Sequence, residues 1–473
     1  MALPLLVLVW RGARHLGTWL GVWDIALYSL GLSSLTSLGC LGVGTGLAWL
    51  AFRARLDPRW DTLLLPAYLI PPFVSALGFL YTLELLHIRP YGVGGMVLVW
   101  VSHYAPLAYL LLRPTFETRL GPLLLACEVH RVTGFRRLRA LLPPLFPALL
   151  ASWGIIYLAI LGNYGVPALL GLPAGVYTLP TLAYSRLFSP LSSSPVGEAA
   201  AIGMLLGLLA LPALALTPET SGEPSLRPVL PRRVGLAQAS LSGFALLGVL
   251  LPLLGLLHKA LFNPYSGVWQ PAFVEAWALP LVRHGLLNSL GLSLSTTGLL
   301  LLLGLALATR PGAVRLLRRW LDLSYLLPGT LLGLGLILLL APTALYATPW
   351  ILLLAYVLHF AALMLRTLEA GLGGGIERLV QVGQLFGLSS LRAWWRIGIP
   401  LLRPYLAAGA FLVLPLALSE LTLSALLYAP GSETLGVAVL SALSGGLFRE
   451  AAAVGLILML LSFLLLFLPR RVG

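Results

Sequence analysis

Charged residues are scarce in this chain: of 473 residues, 10% are Asp, Glu, Lys or Arg, and Lys259 is the single lysine. Soluble domains carry about 25% charged residues, so the composition excludes a large soluble catalytic domain. Disordered chains are polar, whereas 59% of these residues are hydrophobic. The sequence therefore predicts a polytopic, all-α membrane protein.

Cysteine and histidine are also scarce. The two cysteines, Cys40 and Cys127, lie in different contexts, which disfavours a structural disulfide or a cysteine metal cluster. The seven histidines show no metal-ligand spacing, so we expect no metal site and no cofactor. A phosphate-binding Walker A loop needs Gly-Lys-Ser or Gly-Lys-Thr. Because Lys259 follows His258 and precedes Ala260, we expect no ATPase site and no enzymatic activity in this chain.

Long uncharged windows are the main feature that the sequence does contain. A helix needs roughly 20 apolar residues to cross a bilayer. We predict eleven full spans and an incomplete one at residues 3–10. The windows are 25–52, 62–83, 90–112, 140–162, 199–218, 234–258, 284–309, 323–365, 404–419 and 451–469, of which 323–365 holds two spans with a turn at 341–343.

The basic residues are concentrated in short loops rather than in one nucleic-acid-binding patch, although the net charge is +14. Loops rich in Lys and Arg stay on the cytoplasmic side of a membrane. We therefore expect a cytoplasmic C-terminus and no nucleic-acid partner. The segments predicted to be cytoplasmic hold 23 of the 30 basic residues and are 53–61, 113–143, 217–235, 309–322, 366–403 and the tail from 470.

Short sequence matches recur 256 to 260 residues apart. Ser-Leu-Gly-Leu-Ser opens a span at 29–33 and again at 289–293, and His103-Tyr104-Ala105 corresponds to His359-Phe360-Ala361. These matches predict two parallel repeats of six nominal spans, with a pseudo-two-fold axis along the membrane normal and a pathway between them. Such symmetry favours a transporter over a membrane enzyme. The predicted division is 1–216, a cytoplasmic linker at 217–235, and 236–473.

Two loops at corresponding positions, the first loop (113–147) and the second loop (366–400), combine arginines with large apolar residues. Gly134 is followed thirteen residues later by Pro147, and Gly387 by Pro400. We expect each glycine to turn the chain between a short amphipathic helix and a second helix along the membrane face. A single copy fits a membrane anchor, whereas two copies favour docking sites for a soluble partner.

The spacing in these loops resembles the EAA loop of permease subunits of binding-protein-dependent ABC importers. In that family Glu-Ala-Ala, a glycine six residues after the Glu, and a later Ile-x-Leu-Pro dock on the ATPase. The first loop departs from the pattern at Val129 and His130, and the second has Gln381 in the acidic position. The matching residues are Glu128, Gly134 and Pro147 in the first loop and Gly387, Ile397 and Pro400 in the second.

Over nearly the whole chain, two fused halves are similar to ferric-iron and thiamine permeases, and segments 162–171 and 419–437 are closer to the ferric-iron branch. The resemblance implies a type I permease fold, with a truncated first helix, in a prokaryotic inner membrane. It also implies two copies of an ABC ATPase subunit on the cytoplasmic side, an external solute-binding protein and surrounding lipid. The implied cargo is ferric iron, with thiamine, sulfate, a polyamine or another small solute as the alternative.

Four polar residues near or within predicted spans are candidates for the translocation pathway. Asn163 and Glu420 stand at corresponding span ends, and His103 and His359 at corresponding mid-span positions. Buried ionisable groups in membranes are costly and often functional. The alternatives are helix capping or an interfacial carboxylate for the first pair and interhelical hydrogen bonds for the histidines. An ion-driven secondary transporter, the alternative of another class, would need charges at the midplane, where the predicted spans place none.

Overall fold

The computed structural model describes residues 2–214, 234–263 and 266–467. Within these ranges the chain forms helices and turns, with one isolated bridge between Phe262 and Trp269. The all-α prediction is confirmed. The predicted linker lies outside the described residues as far as position 233, and so does the predicted cytoplasmic tail from 470.

Nine α-helices precede the linker in the part of the chain that the structure describes, and they are given in chain order. They are α1 (Ala2–Ala13), α2 (Trp23–Ala54), α3 (Leu65–Leu69), α4 (Pro72–Leu85), α5 (Val93–Thr115), α6 (Gly121–Val129), α7 (Gly134–Leu161), α8 (Leu179–Leu187) and α9 (Pro195–Leu214).

Twelve helices follow the linker among the described residues. They are α10 (Val234–Leu261), α11 (Phe273–Ala278), α12 (Pro280–Ala308), α13 (Pro311–Leu326), α14 (Gly329–Leu340), α15 (Pro349–Gly371), α16 (Glu377–Leu385), α17 (Ser390–Ala393), α18 (Ile399–Leu418), α19 (Thr422–Leu427), α20 (Leu435–Ser444) and α21 (Phe448–Phe467).

Eight helical stretches of the described chain are long and apolar enough to cross a membrane. Each coincides with a predicted span. Of the three other predicted spans, 451–469 falls on α21 (Phe448–Phe467), and two are not straight helices. The window 62–83 is broken between α3 and α4, which meet at 82°, and the first part of 323–365 is the short α14. Proline explains the first break, since a residue before proline avoids helical backbone, and Ile70 before Pro71 is extended, with ψ 126°.

Helix starts recur at the spacing of the sequence matches. Helices α5 and α15 begin 256 residues apart, as do α8 and α20, and α4 and α14 begin 257 apart. Three helix starts thus recur at nearly the same spacing in the two parts of the chain.

The described chain divides into two compact units that exchange segments. Unit 1 comprises Met1–Thr18, Ala183–Met204 and Ala260–Gly473, and unit 2 comprises Trp19–Leu182 and Leu205–Lys259. Helix α1 therefore lies among helices that follow the linker, and α10 among helices that precede it. The compact units do not coincide with the predicted division at 217–235, which remains a prediction about the sequence repeat.

Small residues explain why the exchanged helices fit where they do. Interfaces between membrane helices favour glycine because backbones can then approach closely. A Cβ on Gly335 of α14 would lie 2.7 Å from the carbonyl oxygen of Pro4 in α1. In unit 2, a Cβ on Gly255 of α10 would overlap the carbonyl oxygen of Gly78 in α4. Each exchanged helix thus packs against a half-length helix at a glycine.

Candidate functional site

The first loop turns between α6 and α7 through two residues with left-handed backbone. After α6 the Arg131 N–H donates to the Glu128 carbonyl (3.1 Å) and the Val132 N–H to the Cys127 carbonyl (2.7 Å). Arg131 itself has φ 52°, and Gly134, the first residue of α7, has φ 59°. This pattern of bonds closes a helix C-terminus around one left-handed residue, and here that residue is Arg131.

The second loop has the same turn after α16. The Gly387 N–H donates to the Gln384 carbonyl (3.0 Å) and the Leu388 N–H to the Gly383 carbonyl (3.2 Å), around Gly387 at φ 89°. Ser389 then precedes the short α17. The expected role of Gly387 as the turning residue therefore agrees with its geometry, and the absence of a Cβ makes this conformation accessible to it.

The two turns pair the loops in a different register from the one that motif spacing predicts. The bonding pattern makes Arg131, not Gly134, the counterpart of Gly387, and these two residues are 256 apart, like the starts of α5 and α15. Gly134 and Gly387 are 253 apart. Glu128 then corresponds to Gln384 rather than to Gln381. Gly134, three residues after Arg131, is the second left-handed residue of the first loop and begins α7.

The prolines differ in the same way. Pro400 is the second residue of α18, as expected for a proline near a span start. Pro147, in contrast, lies inside α7, which runs without a break from Gly134 to Leu161. In the second loop a π-helical turn, Trp394–Gly398, joins α17 to α18. Ser390–Leu418 is therefore one helical stretch that runs into the span, as Gly134–Leu161 is in the first loop.

Other predicted residues of the loops have ordinary packing roles or are exposed. The Glu128 carboxylate lies 3.8 Å from the Arg137 guanidinium. Ile397 packs on Gly383 of α16, and Gln381 is exposed. Large apolar side chains at the loop tips are also exposed: Val129 and Phe135 in the first loop, and Leu385, Phe386 and Leu391 in the second.

A π-helical turn joins each loop to the preceding long helix. These turns, Phe116–Leu120 after α5 and Leu372–Ile376 after α15, begin 256 residues apart. The first is held by Arg113, whose buried guanidinium contacts the Asp61 carboxylate, the Tyr109 hydroxyl (2.6 Å) and the Glu117 carboxylate (3.5 Å). From the sequence, Arg113 was expected to be an ordinary charged residue of the first loop. Two sequence features could have indicated its buried ion pair: it follows directly after an apolar window, and an acidic residue stands four residues later.

Asn163 and Glu420 perform the same structural task at corresponding span ends. The Asn163 Oδ1 accepts the Val166 N–H (3.0 Å), and the Glu420 Oε1 accepts the Leu423 N–H (2.5 Å). Each side chain thus satisfies a backbone donor three residues ahead, in the manner of a helix N-cap. The geometry matches the capping alternative that the sequence left open.

His103 and His359 lie on α5 and α15, among aromatic rings. His103 is buried between Tyr68 and Tyr104, with ring centroids 5.3 and 4.6 Å away, and its Nδ1 has no hydrogen-bond partner among the described residues. His359 is half-buried beside Phe360, at 4.9 Å. No group of three or more His, Cys, Asp or Glu in the described ranges could hold a metal ion.

Comparison with known proteins finds a family match in the part of the chain that follows the linker. Residues 278–472 match the family described as binding-protein-dependent transport system inner membrane component. A Salmonella typhimurium protein named as a 2-aminoethylphosphonate transport system permease, PhnV, is 28% identical over 47% of this chain and 88% of its own length. The Fe(3+)-transport system permease protein FbpB 2 of Haemophilus influenzae is 25% identical over 92% of this chain and 87% of its own.

Residues 278–472 therefore carry the domain described as binding-protein-dependent transport system inner membrane component, and both named relatives are permease proteins of transport systems.

Proposed function

We propose that the first and second loops each dock one copy of an ABC ATPase subunit, and that the chain forms the pathway for a solute delivered by an external binding protein. The observation that carries this proposal is the twice-occurring helix, left-handed turn and helix, closed by Arg131 in one copy and Gly387 in the other. A soluble ATPase would supply the hydrolysis that Lys259, outside any Gly-Lys-Ser/Thr motif, does not support.

Exposed apolar side chains at the loop tips support docking. Leu385 and Phe386 are 86% and 85% exposed, and Val129 is 72% exposed at the corresponding end of α6. Exposed apolar groups that cluster at one place mark interaction surfaces. Four arginines lie within 131–139 of the first loop, so an acidic rim on the ATPase would complement that loop.

The orientation of the chain is proposed from the basic residues. The segments 53–61, 113–143, 217–235, 309–322, 366–403 and the tail from 470, if placed together in the cytoplasm, put 23 of 30 basic residues on that side. The same orientation puts the starts of α2 and α12, and the segment from Glu420 to Phe448, at the outer side.

For the cargo we propose ferric iron, because the ferric-iron permease FbpB 2 aligns with 92% of this chain. An organophosphonate is the second candidate, supported by PhnV at 28% identity over 47% of the chain. Thiamine, sulfate and polyamines are more distant candidates. Asn163 and Glu420 are proposed to hold the shape of the pathway by capping, and His103 and His359 to provide its polar groups.

Copurification tests the docking proposal. Tagged protein in mild detergent is compared with the Phe386→Glu variant and with a Leu316→Glu control on α13, where an exposed leucine lies outside both loops. We expect an ATPase with wild type and control, and several-fold less with Phe386→Glu. Equal recovery from all three proteins would reject docking at the second loop. Recovery of the permease alone, with gradient-driven uptake in ATP-free vesicles, would instead favour a secondary transporter.

A further inference from the structure

One hydrogen bond occurs in both repeats and involves the duplicated Ser-Leu-Gly-Leu-Ser segment. The Ser29 Oγ accepts the Leu179 N–H (3.0 Å), and the Ser289 Oγ accepts the Leu435 N–H (2.8 Å). The two serines open the repeated segments, and the two leucines begin α8 and α20. Both serines are 2% exposed and both leucines fully buried. The duplicated serine thus ties a long helix to the start of a half-length helix.

The need for this bond follows from how helices begin. The first N–H groups of a helix lack partners within it, so a buried helix start needs acceptors from elsewhere. In α20 the Thr434 Oγ1 accepts the Val437 N–H (3.4 Å), but a single side chain cannot satisfy every orphan donor. In each repeat a serine on another helix therefore supplies the acceptor for the leucine N–H.

The anchored helices are too short to span a membrane. Helices α8 and α20 have 9 and 10 residues, which corresponds to about 15 Å at the α-helical rise, against roughly 30 Å of hydrocarbon. Helices α2 and α12, which carry the serines, have 32 and 29 residues. The hydrogen bonds therefore fasten half-length segments to full-length ones.

The two repeats are fastened unequally. Beside Ser289, the Asn288 Nδ2 donates to the carbonyls of Gly431 (3.0 Å) and Glu433 (2.9 Å), in the loop before α20. The residue at the corresponding position, 260 earlier, is Tyr28. A tyrosine has no carboxamide that could donate twice. Three hydrogen bonds thus hold the α20 segment, whereas Ser29 provides one for α8.

We propose that Ser29 and Ser289 are positioning residues for transport: they fix the half-length helices α8 and α20 at the outer end of the pathway and keep that end closed until cargo is delivered. This proposal rests on the proposed function for its orientation. Because Asn288 supports only α20, loss of Ser29 will release its helix more than loss of Ser289.

Hydrogen exchange of the permease alone, in lipid nanodiscs, tests the anchoring without any partner protein. For Ser29→Ala we expect about tenfold faster exchange of the amides of 179–182. The substitution leaves the buried Leu179 N–H without its acceptor, which shifts the equilibrium between the closed and locally open forms of the α8 start by about that factor. Amides of 435–438 should not change. Ser289→Ala should have a smaller effect on 435–438, and Asn288→Ala combined with Ser289→Ala about the full tenfold one.

Matched controls and rescue separate anchoring from general damage. Ser37 and Ser293 are buried on the same helices, but their hydroxyls bond to carbonyls of their own helix, Ser34 (2.9 Å) and Leu290 (3.1 Å). Ser37→Ala and Ser293→Ala should leave both amide groups unchanged. Ser29→Thr, which keeps the hydroxyl, should restore slow exchange. If Ser37→Ala accelerated 179–182 as much as Ser29→Ala does, the proposed anchor would be rejected.

Transport coupling provides the functional measurement. With the copurified ATPase in proteoliposomes, Ser29→Ala should raise ATP hydrolysis in the absence of binding protein several-fold and lower the uptake per ATP, with Ser29→Thr near wild type. Faster exchange without a change in this ratio would reduce Ser29 to a structural role and overturn the proposal. Failure to recover any ATPase would contradict the proposed function instead, while the exchange results would still report on the anchor.

Discussion

Removing Arg113 tests how the first loop is attached to its span. Arg113 lies at the end of α5, 4% exposed, with the Asp61 and Glu117 carboxylates around it at 23% and 25% exposure. In Arg113→Met, a side chain of similar length fills the space but leaves two carboxylates without their cation. We expect a less stable protein and a loosened π-helical turn at Phe116–Leu120.

The magnitude follows from the burial of each group. Breaking a fully buried ion pair by removing one partner costs about 3–5 kcal/mol. Both acids keep contact with water, which screens the remaining charge, so the estimate falls to about 2 kcal/mol. A loss of that size lowers the melting temperature of a protein of this length by roughly 2 °C.

A double-mutant cycle in detergent measures this directly from melting curves. Asp61→Asn combined with Arg113→Met should recover part of the loss, because it removes the stranded carboxylate together with its partner. Contacting groups in one network couple by about 0.5–3 kcal/mol. Arg139→Met on the exposed part of the first loop is the control and should melt like wild type. Additive losses from the two changes, or no loss from Arg113→Met, would refute this account of the network.

Three further predictions concern the turns, the helix exchange and the caps. Gly387→Ala places a Cβ on left-handed backbone and should destabilise the protein by about 1–2 kcal/mol, whereas Arg131→Gly should stabilise the turn of the first loop. Melting curves of both variants measure these changes. Equal destabilisation by the two substitutions would contradict the pairing of Arg131 with Gly387. Gly255→Val should abolish a monodisperse size-exclusion peak because its Cβ meets neighbouring backbone, while Gly243→Val, with open space on the same helix, should retain it. Glu420→Gln should keep the cap and Glu420→Ala lose about 1 kcal/mol; equal loss of uptake in both, at unchanged stability, would favour a pathway role.

Predictability of the fold differed between the spans and their breaks. Hydropathy located the helices because about 20 apolar residues in a row have few stable alternatives in a bilayer. It missed the bend between α3 and α4, since apolar residues continue through it. The Pro71-Pro72 pair was the local signal for that bend, and it outweighs hydropathy because it acts on the backbone itself.

Predictability of the candidate site differed between residue types. Gly387 was located by motif spacing, and its φ of 89° explains why glycine stands there. Arg131 was not, because a non-glycine residue in left-handed conformation leaves no compositional signal. The buried role of Arg113 depended on Asp61, 52 residues away, a distance over which no local pattern acts.

The sequence by itself determined the all-α class, the positions of the long spans and the repeat spacing. Hydropathy depends on neighbouring residues, and a repeat can be recognised from the order of residues along the chain alone. Only the tertiary structure decided that α1 and α10 each pack among helices from beyond the linker, and that the duplicated serines hold the starts of α8 and α20. These outcomes depend on which surfaces approach closely enough for glycines to interlock and for a buried N–H to find its acceptor.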